Sequence, residues 1–220
     1  MKKDIISAAL AILVITVLCG ILYPLVITGV SQVAFPGNAN GQKVYVNGKL
    51  AGSKIIGQAF TTQVVNKKTG KPEVDSDGNP VTTPDPRYFQ IRPSATVPPA
   101  NAAATTFSNL GPNNIATEQA IAANIKAYLA LEKPYDPGLS VAKVPVDAVN
   151  TSASGIDPDI SPANADVQAY RVAAVRHLSL SRVMSLVSKY THGRGLGFSG
   201  EPGVNVLELN LALDRVRGGR

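Results

Sequence analysis

The chain has 220 residues and a net charge of +6, from 21 Lys or Arg against 15 Asp or Glu. Its basic residues are scattered and only 5% of its residues are aromatic, which argues against a nucleic-acid-binding surface. The single cysteine, Cys19, excludes both an intrachain disulfide and a thiolate metal site.

An uncharged apolar segment opens the sequence. No charged side chain lies between Ile5 and Gln42, and residues 5–30 are almost wholly apolar. A helix over residues 5–30 is about 39 Å long, which exceeds a bilayer core of roughly 30 Å. We therefore predict one transmembrane helix over residues 5–27 and a juxtamembrane linker over residues 28–42. Small or hydroxylated side chains on this helix are candidates for packing against a partner helix: Ser7, Thr16, Gly20 and Thr28.

Basic residues on the two sides of this segment set its orientation. Lys2 and Lys3 precede the segment, and the next basic residue is Lys43. The positive-inside rule keeps residues 1–4 in the cytoplasm and places residues 43–220 on the other side. We therefore expect a single-pass protein of a bacterial inner membrane, in contact with the lipid bilayer and with a periplasmic, extracytoplasmic domain.

Two other interpretations of the N-terminus were weighed. A cleaved signal peptide needs a small-x-small site directly after a shorter apolar stretch, whereas Gly37-Asn38-Ala39 lies well beyond the segment. A lipoprotein anchor at Cys19 needs a small preceding residue, and Leu18 stands there. Both patterns fit less well than an uncleaved span.

A β-hairpin and a long loop are predicted next. Asn47-Gly48 separates two β-prone stretches within residues 44–56 and supplies the positive φ angles of a type I′ turn. Residues 66–112 are rich in proline and small polar residues, which indicates ordered loop rather than helix. Within that loop, residues 66–86 resemble a variable insertion.

Helical patterns dominate the rest of the chain. Apolar residues at i, i+4 spacing predict a helix over residues 117–131. Ser161-Pro162 is an N-cap followed by proline at the first helical position, and it opens a helix to about residue 178. Ser179 is predicted to cap another helix.

The last apolar stretch, residues 204–214, is compatible with a strand or a helix. Alternation favours a strand, but Asn205 and Glu208 have capping-box spacing, so we predict a helix. The predicted fold class is therefore a single N-terminal transmembrane α-helix plus one α+β extracytoplasmic domain over residues 43–220.

No motif indicates catalysis or a metal site. Residues 195–200 match G-x-G-x-x-G but lack the preceding strand and the following helix of a dinucleotide fingerprint. Asp75, Asp77 and Asn79 hint at a calcium loop that has no glutamate at its twelfth position. Two histidines without a nucleophile and an orienting partner do not form a catalytic constellation.

Four segments, in this order behind a single span, resemble one known family. They are YFQIRPSA at residues 88–95, SNLGP at 108–112, VPVDAVNTSASGIDPDISP at 144–162 and GEPGVNVLELNLALD at 200–214. Together they resemble the KdpC family, the C subunits of Kdp-type high-affinity potassium-transporting ATPases. Gly203 departs from the family, which often has a basic residue at that position, and this puts a charge contact there in doubt.

The resemblance implies an accessory, non-catalytic subunit that an ATP-driven potassium pump needs for assembly and activity. The implied partners are a channel-like potassium-selecting subunit, a P-type ATPase subunit and a small single-span subunit. The partners handle ATP and K⁺, so no cofactor of the chain's own is expected, although the family is described as a catalytic chaperone that raises the ATPase subunit's affinity for ATP. A domain outside the membrane cannot reach cytoplasmic ATP, so we expect an indirect effect.

Some accounts of the family compare one serine-rich stretch to an ABC signature. Here the relevant residues are Ser152, Ser154 and Gly155, and the paired glycines and glutamine of such a signature are missing. We therefore interpret this stretch as a turn before the Ser161 cap rather than as a nucleotide site.

Two proline-containing loops are predicted to dock on the potassium-selecting subunit, with Arg92 as hydrogen-bond anchor unless it pairs within its own domain. The alternative function is a stand-alone membrane-tethered binding or sensor module, while an anchored hydrolase is disfavoured for want of catalytic residues. The predicted interface residues are Tyr88, Phe89, Arg92, Pro93, Ser94, Ser108, Asn109, Leu110, Gly111 and Pro112.

Overall fold

The computed structural model describes residues 1–104, 106 and 109–216. The chain divides into two compact units, Met1–Ser53 and Lys54–Arg220, which are described separately.

The N-terminal unit begins with one long apolar helix from Lys2 to Ala34, which is long enough to cross a membrane and has no buried residue in its most apolar part. It is longer than the predicted span, because residues 28–34, assigned above to a linker, continue the helix. Which of its residues lie in the bilayer stays a prediction. The helix consists of α1 (Lys2–Val17), a π-helical turn (Leu18–Leu22) and α2 (Tyr23–Ala34).

Pro24 accounts for the π-helical turn. Proline has no N–H to donate, and its ring collides with the carbonyl group four residues earlier in a regular α-helix. The backbone widens just before it, where the Tyr23 N–H donates to the Leu18 carbonyl oxygen, five residues back. The helix therefore continues past the proline through a local π-bulge instead of ending there.

A short helix and a hairpin complete the N-terminal unit. Helix α3 (Pro36–Ala39) is followed by β1 (Lys43–Val46) and β2 (Lys49–Ser53), which pair antiparallel. Asn47 and Gly48 have φ angles of 51° and 76°, so the predicted type I′ turn is confirmed.

The C-terminal unit is built from helices around a small sheet. In the antiparallel sheet β7 lies between β5 and β6, and fully buried Val172, Val183, Val204 and Leu209 form part of the core between this sheet and the helices. The elements are β3 (Thr61–Gln63), β4 (Thr82–Pro84), α4 (Ile115–Glu132), β5 (Asp159–Ile160), α5 (Pro162–Arg176), α6 (Leu180–Lys189), β6 (Thr191–His192), β7 (Gly203–Asn205) and α7 (Val206–Arg215).

The N-caps of α5, α6 and α7 agree with the sequence-based predictions, whereas α4 begins two residues before its predicted start. Ser161, Ser179 and Asn205 each accept a backbone N–H from the residue three positions later, at 3.1, 3.3 and 3.1 Å. Residues 206–215 form a helix as predicted, preceded by the short strand β7. One N-terminal apolar helix followed by a domain of mixed helix and sheet confirms the predicted single-helix plus α+β fold, while the side of the membrane stays a prediction.

The polar stretch 66–86 contains β4, and its part between the two strands folds as an extension of the β3–β4 pair, with β-bridges at Val65–Pro72 and Val74–Pro80. Its turns are stabilised by side chains: Asn66 Oδ1 accepts the Lys68 amide at 2.9 Å, and Asp75 Oδ1 accepts the amides of Asp77 and Asn79 at 2.9 and 2.8 Å. The carboxylate that resembled a calcium ligand therefore caps a turn.

Candidate partner interface

The first predicted docking segment begins inside the core. Phe89 is fully buried, and its N–H and C=O groups pair with the Asn210 side-chain amide, both at 2.9 Å. The backbone of Gln90 pairs in the same way with the Gln168 amide, at 2.7 and 3.1 Å. These two side chains satisfy backbone groups that a neighbouring strand would otherwise satisfy. Phe89 has no surface for a partner, so its assignment to an interface is corrected.

Tyr88 is also held by its own unit. Its ring packs at 5.0 Å from that of Phe60, and the Arg176 guanidinium lies 4.6 Å above it. The Tyr88 hydroxyl donates to Asp214 at 3.2 Å, and burial is the main cause that raises the pKa of Tyr88. Tyr88 thus contributes to internal packing, and its docking role stays a prediction.

A buried ion pair joins this segment to two helices. Arg171 and Glu132 are 0% and 1% exposed, and Arg171 Nε lies 3.0 Å from both Glu132 carboxylate oxygens. Arg171 also donates to the carbonyl oxygens of Pro86 and Tyr88, at 2.6 and 2.9 Å, and to Gln168 Oε1 at 3.0 Å. Burial raises the pKa of Glu132 and Arg171 opposes that rise. The pair fixes α4, α5 and residues 86–88 to one another.

Arg92, the predicted anchor, pairs within its own unit. Its Nη1 lies 3.2 Å from Asp157 Oδ2, and both side chains are about three-quarters buried. Within the described part of the chain, its buried Nε has no hydrogen-bond partner. The guanidinium is therefore only partly satisfied by Asp157, and a contact with a partner stays a prediction.

The serine-rich stretch packs against the first docking loop instead of opening a phosphate site. Ser94 Oγ donates to the Gly155 carbonyl oxygen at 2.6 Å, and the Ser152 amide donates to the Pro93 carbonyl oxygen at 2.9 Å. Ser152 is 3% exposed, and its hydroxyl bonds to Ser154 and to the Gly155 amide. These groups are used inside the turn, which favours the turn interpretation.

Gly155 makes this close approach possible. It has a φ of 75°, and a Cβ atom there would lie 2.7 Å from the Thr106 carbonyl oxygen and 2.8 Å from Thr96 Cγ2. Only glycine combines that backbone angle with the absence of a side chain. The glycine of this stretch therefore serves packing between two loops.

An apolar groove runs along one side of α4, and we call it the α4 groove. Two adjoining clefts of about 540 and 400 Å³ share Leu110, Thr117, Ile121 and Asn150. The predicted residues Pro93, Ser94, Pro112 and Ser152 also line these clefts, together with Ala95, Ala120, Asn124, Ile125, Val141, Val144, Val146, Val149, Thr151 and Ala153.

The rim of the α4 groove is unusually apolar for a surface. Leu110, Val141 and Val146 are 43%, 58% and 75% exposed. Val141 and Val146 were missed by sequence analysis because they lie in short 3₁₀ turns, which leave no periodic pattern. Contiguous exposed apolar residues of this kind mark interaction surfaces.

The second predicted docking loop lies at the end of this groove. Asn109, Leu110, Gly111 and Pro112 are all exposed, and Ser108 lies outside the described residues. The Gly111 carbonyl oxygen accepts from the Thr117 hydroxyl at 3.1 Å, which ties the loop to the first turn of α4.

The four residues proposed for transmembrane packing do not lie on one stripe. Thr16 and Gly20 are neighbours, since a Cβ atom on Gly20 would lie 3.9 Å from Thr16 Cγ2. At about 100° per residue within α1, Ser7 lies on the opposite side of the helix from Thr16, while Thr28 lies in α2 beyond the π-helical turn. Contact with a partner helix stays a prediction for all four.

Gly203 is buried against a histidine. A Cβ atom there would lie 2.8 Å from His192 Cε1 and Nε2. The position therefore has no room for a basic side chain unless the imidazole of His192 moves away.

Comparison with known proteins agrees with the resemblance noted above. A family model described as "K+-transporting ATPase, c chain" matches residues 5–215. A protein named "Potassium-transporting ATPase KdpC subunit" from Methylococcus capsulatus is 46% identical over 211 residues, which cover 96% of this chain and 96% of the relative. A protein of the same name from Koribacter versatilis is 42% identical over 214 residues, which cover 97% of this chain and 95% of the relative. A relative with the same name from Polaromonas naphthalenivorans is 45% identical over 217 residues, with 98% and 96% coverage. The chain therefore belongs to the KdpC family.

Proposed function

We propose that this protein is the accessory C subunit of an ATP-driven potassium uptake pump. The observation that carries the proposal is the family match over residues 5–215. The chain itself does not catalyse ATP hydrolysis in this proposal. Its partners are a potassium-selecting subunit, a P-type ATPase subunit and a small single-span subunit.

The C-terminal unit docks on the potassium-selecting subunit outside the cytoplasm through the α4 groove. Two features support this. The exposed apolar rim, with Val146 at 75% exposure, loses unfavourable hydration when a partner covers it. The loop at Leu110 is tied to α4 and rich in proline and glycine, so its ordering on binding costs little entropy.

Coupling to ATP affinity is indirect in this proposal. In the serine-rich stretch the Ser152 hydroxyl accepts the Gly155 amide, and the Gly155 carbonyl oxygen accepts from Ser94 of the neighbouring loop, so these groups are engaged inside the protein. A subunit that binds one state of the assembled membrane complex more tightly changes the ATP affinity of that state without touching nucleotide.

Co-purification tests the assembly role. The full chain, co-expressed with the other pump subunits, is expected to co-purify with the P-type ATPase subunit in detergent, whereas a stand-alone sensor would elute alone. Val146→Arg should reduce the retained chain by roughly tenfold or more, because it places a charge in an apolar contact. Val74→Arg, at a valine with 59% exposure in the 66–86 extension, is the matched control.

Sidedness tests the site of action. A cysteine at Thr69, in a Cys19→Ser background, is exposed to a membrane-impermeant thiol reagent on cells opened only at the outer membrane. Labelling is expected there. Labelling only after the inner membrane is broken would overturn the indirect mechanism and favour direct action on nucleotide.

A further inference from the structure

A second exposed apolar element lies in the loop that connects β6 to β7. Every residue from 193 to 202 is exposed. At its tip, Leu196 and Phe198 are 90% and 76% exposed, the highest values for large apolar side chains in the described part of the C-terminal unit. Exposure of these two side chains to water is unfavourable relative to burial.

The tip is nevertheless an ordered turn that leads into a buried strand. Gly195 and Ser199 exchange backbone hydrogen bonds of 2.7 and 2.8 Å, and the Gly197 amide donates to the Arg194 carbonyl oxygen at 3.1 Å. At its base, β7 is the central strand of the sheet, with Val204 fully buried. The two apolar side chains are therefore held in position before any partner binds.

The backbone at Leu196 is also strained. Its φ is 53°, in the left-handed region, where a Cβ atom comes too close to the following carbonyl oxygen. A glycine would adopt this angle freely, and neighbouring positions already are glycine. Because Leu196 is exposed at the tip, packing inside the protein does not offset its backbone strain. Backbone strain of this kind is typical of functional loops.

We propose that the Leu196–Phe198 tip inserts into an apolar pocket on a partner protein. The pocket lies on a pump subunit, so this inference rests on the proposed function. The tip is then a second docking element, in addition to the α4 groove. Glycines at 193, 195, 197 and 200 leave the flanks of the tip without side chains, so the walls of a pocket can approach the backbone closely.

A protein pocket fits the tip better than lipid does. The charge of Arg194 is neutralised by Glu201, whose carboxylate lies 2.7 Å from its guanidinium, so the loop offers little attraction to anionic headgroups. Within residues 109–216, the Leu196 N–H and C=O groups form no hydrogen bond with the protein. Hydrocarbon cannot satisfy these groups, whereas a protein pocket can.

The test uses the full chain co-expressed with the other pump subunits. The double variant Leu196→Ser/Phe198→Ser is compared with the control Val65→Ser/Val74→Ser, which removes two exposed apolar side chains elsewhere in the same unit. The amount of this chain that stays bound to the purified complex after dilution in detergent should fall roughly ten- to hundredfold for the tip variant. It should not change for the control. Retention of the tip variant equal to that of the wild type would overturn the proposal while leaving the proposed function intact.

Leu196→Gly separates docking from stability. Glycine relieves the backbone strain, so the melting temperature of the full chain alone should stay constant or rise, while retention on the complex falls. A structural role for Leu196 predicts a lower melting temperature instead. That result, with unchanged retention, would contradict the proposal.

Phe198→Trp distinguishes protein from lipid, because the chain has no other tryptophan. In vesicles that contain the full chain alone, its emission should be that of an indole in water. A blue shift in those vesicles would mean that the tip enters lipid and would overturn the proposal. A wild-type chain that never co-purifies with the ATPase subunit would overturn the proposed function and this inference together.

Discussion

Replacing Arg171 by methionine removes every donor that its guanidinium provides inside the C-terminal unit. The variant leaves Glu132 buried without its partner and leaves the carbonyl oxygens of Pro86 and Tyr88, and Oε1 of Gln168, short of a donor. Methionine retains much of the aliphatic stem, so the change acts mainly on these polar contacts.

The expected loss of stability is large. Removal of one member of a buried ion pair costs about 3–5 kcal/mol, and each buried acceptor left unpaired adds about 1 kcal/mol. We therefore expect the free energy of unfolding to fall by on the order of 5 kcal/mol or more, against a typical total of about 5–15 kcal/mol. Without Arg171 nothing opposes the effect of burial, so the pKa of Glu132 rises further and the loss is smaller at low pH than at neutral pH.

Urea titration of the full chain in detergent, followed by circular dichroism, measures this loss, because the apolar α1–α2 helix stays folded in detergent. Arg176→Met is the matched control on the same helix. Arg176 pairs with Asp214, which is 44% exposed, donates to the Arg87 carbonyl oxygen at 2.6 Å and lies over the Tyr88 ring, so its loss should cost about 1–3 kcal/mol, less than the loss of Arg171. If the two variants are equally stable, the buried network does not hold α4, α5 and residues 86–88 together and the reasoning is wrong.

Three further changes have defined outcomes in the same titration. Gly155→Ala should cost more than about 2 kcal/mol, because of the φ of 75° and the 2.7 Å approach to the Thr106 carbonyl oxygen; a neutral effect would contradict the packing role. Ser161→Ala removes the α5 cap and a 2.7 Å hydrogen bond to Asp147, so the free energy of unfolding should fall by about 1–2 kcal/mol. Amide hydrogen exchange in the first turn of α5 should also become faster. Burial raises the pKa of Glu132 in the folded protein, so the stability that this shift contributes is fully present below the ordinary pKa of glutamate and is lost as the pH rises through the raised pKa. Between these two pKa values wild type should therefore lose stability relative to Glu132→Gln as the pH rises. A relative gain would refute the direction of the shift.

Local signals were sufficient to predict the helices of the C-terminal unit. Ser161, Ser179 and Asn205 each have a short polar side chain that satisfies an amide in the first turn, and this requirement is visible in the sequence alone. The helix over residues 115–132 was predicted two residues late because Asn114, its N-cap, lies within a polar loop where several residues qualify.

Long-range contacts explain why the burial of Phe89 was not predicted. A segment with proline and polar residues is typical of a surface loop, yet its backbone is satisfied by amides 121 and 78 residues further on, from Asn210 and Gln168. No local pattern reveals such a pairing. The same holds for Glu132 and Arg171, which are 39 residues apart and have the appearance of ordinary surface charges in the sequence.

The segments that carry the family resemblance are therefore mainly those that build the core. Phe89, Gly155 and Asn210 lie in three of the four segments: Phe89 is fully buried, Gly155 has no room for a Cβ atom, and the Asn210 amide pairs with the Phe89 backbone. Docking would require less of each residue, because an apolar rim such as that proposed for the α4 groove works with any of several aliphatic side chains. A sequence motif thus reveals the fold more readily than an interface, and the two docking surfaces proposed for this chain rest on exposure and backbone strain in the structure.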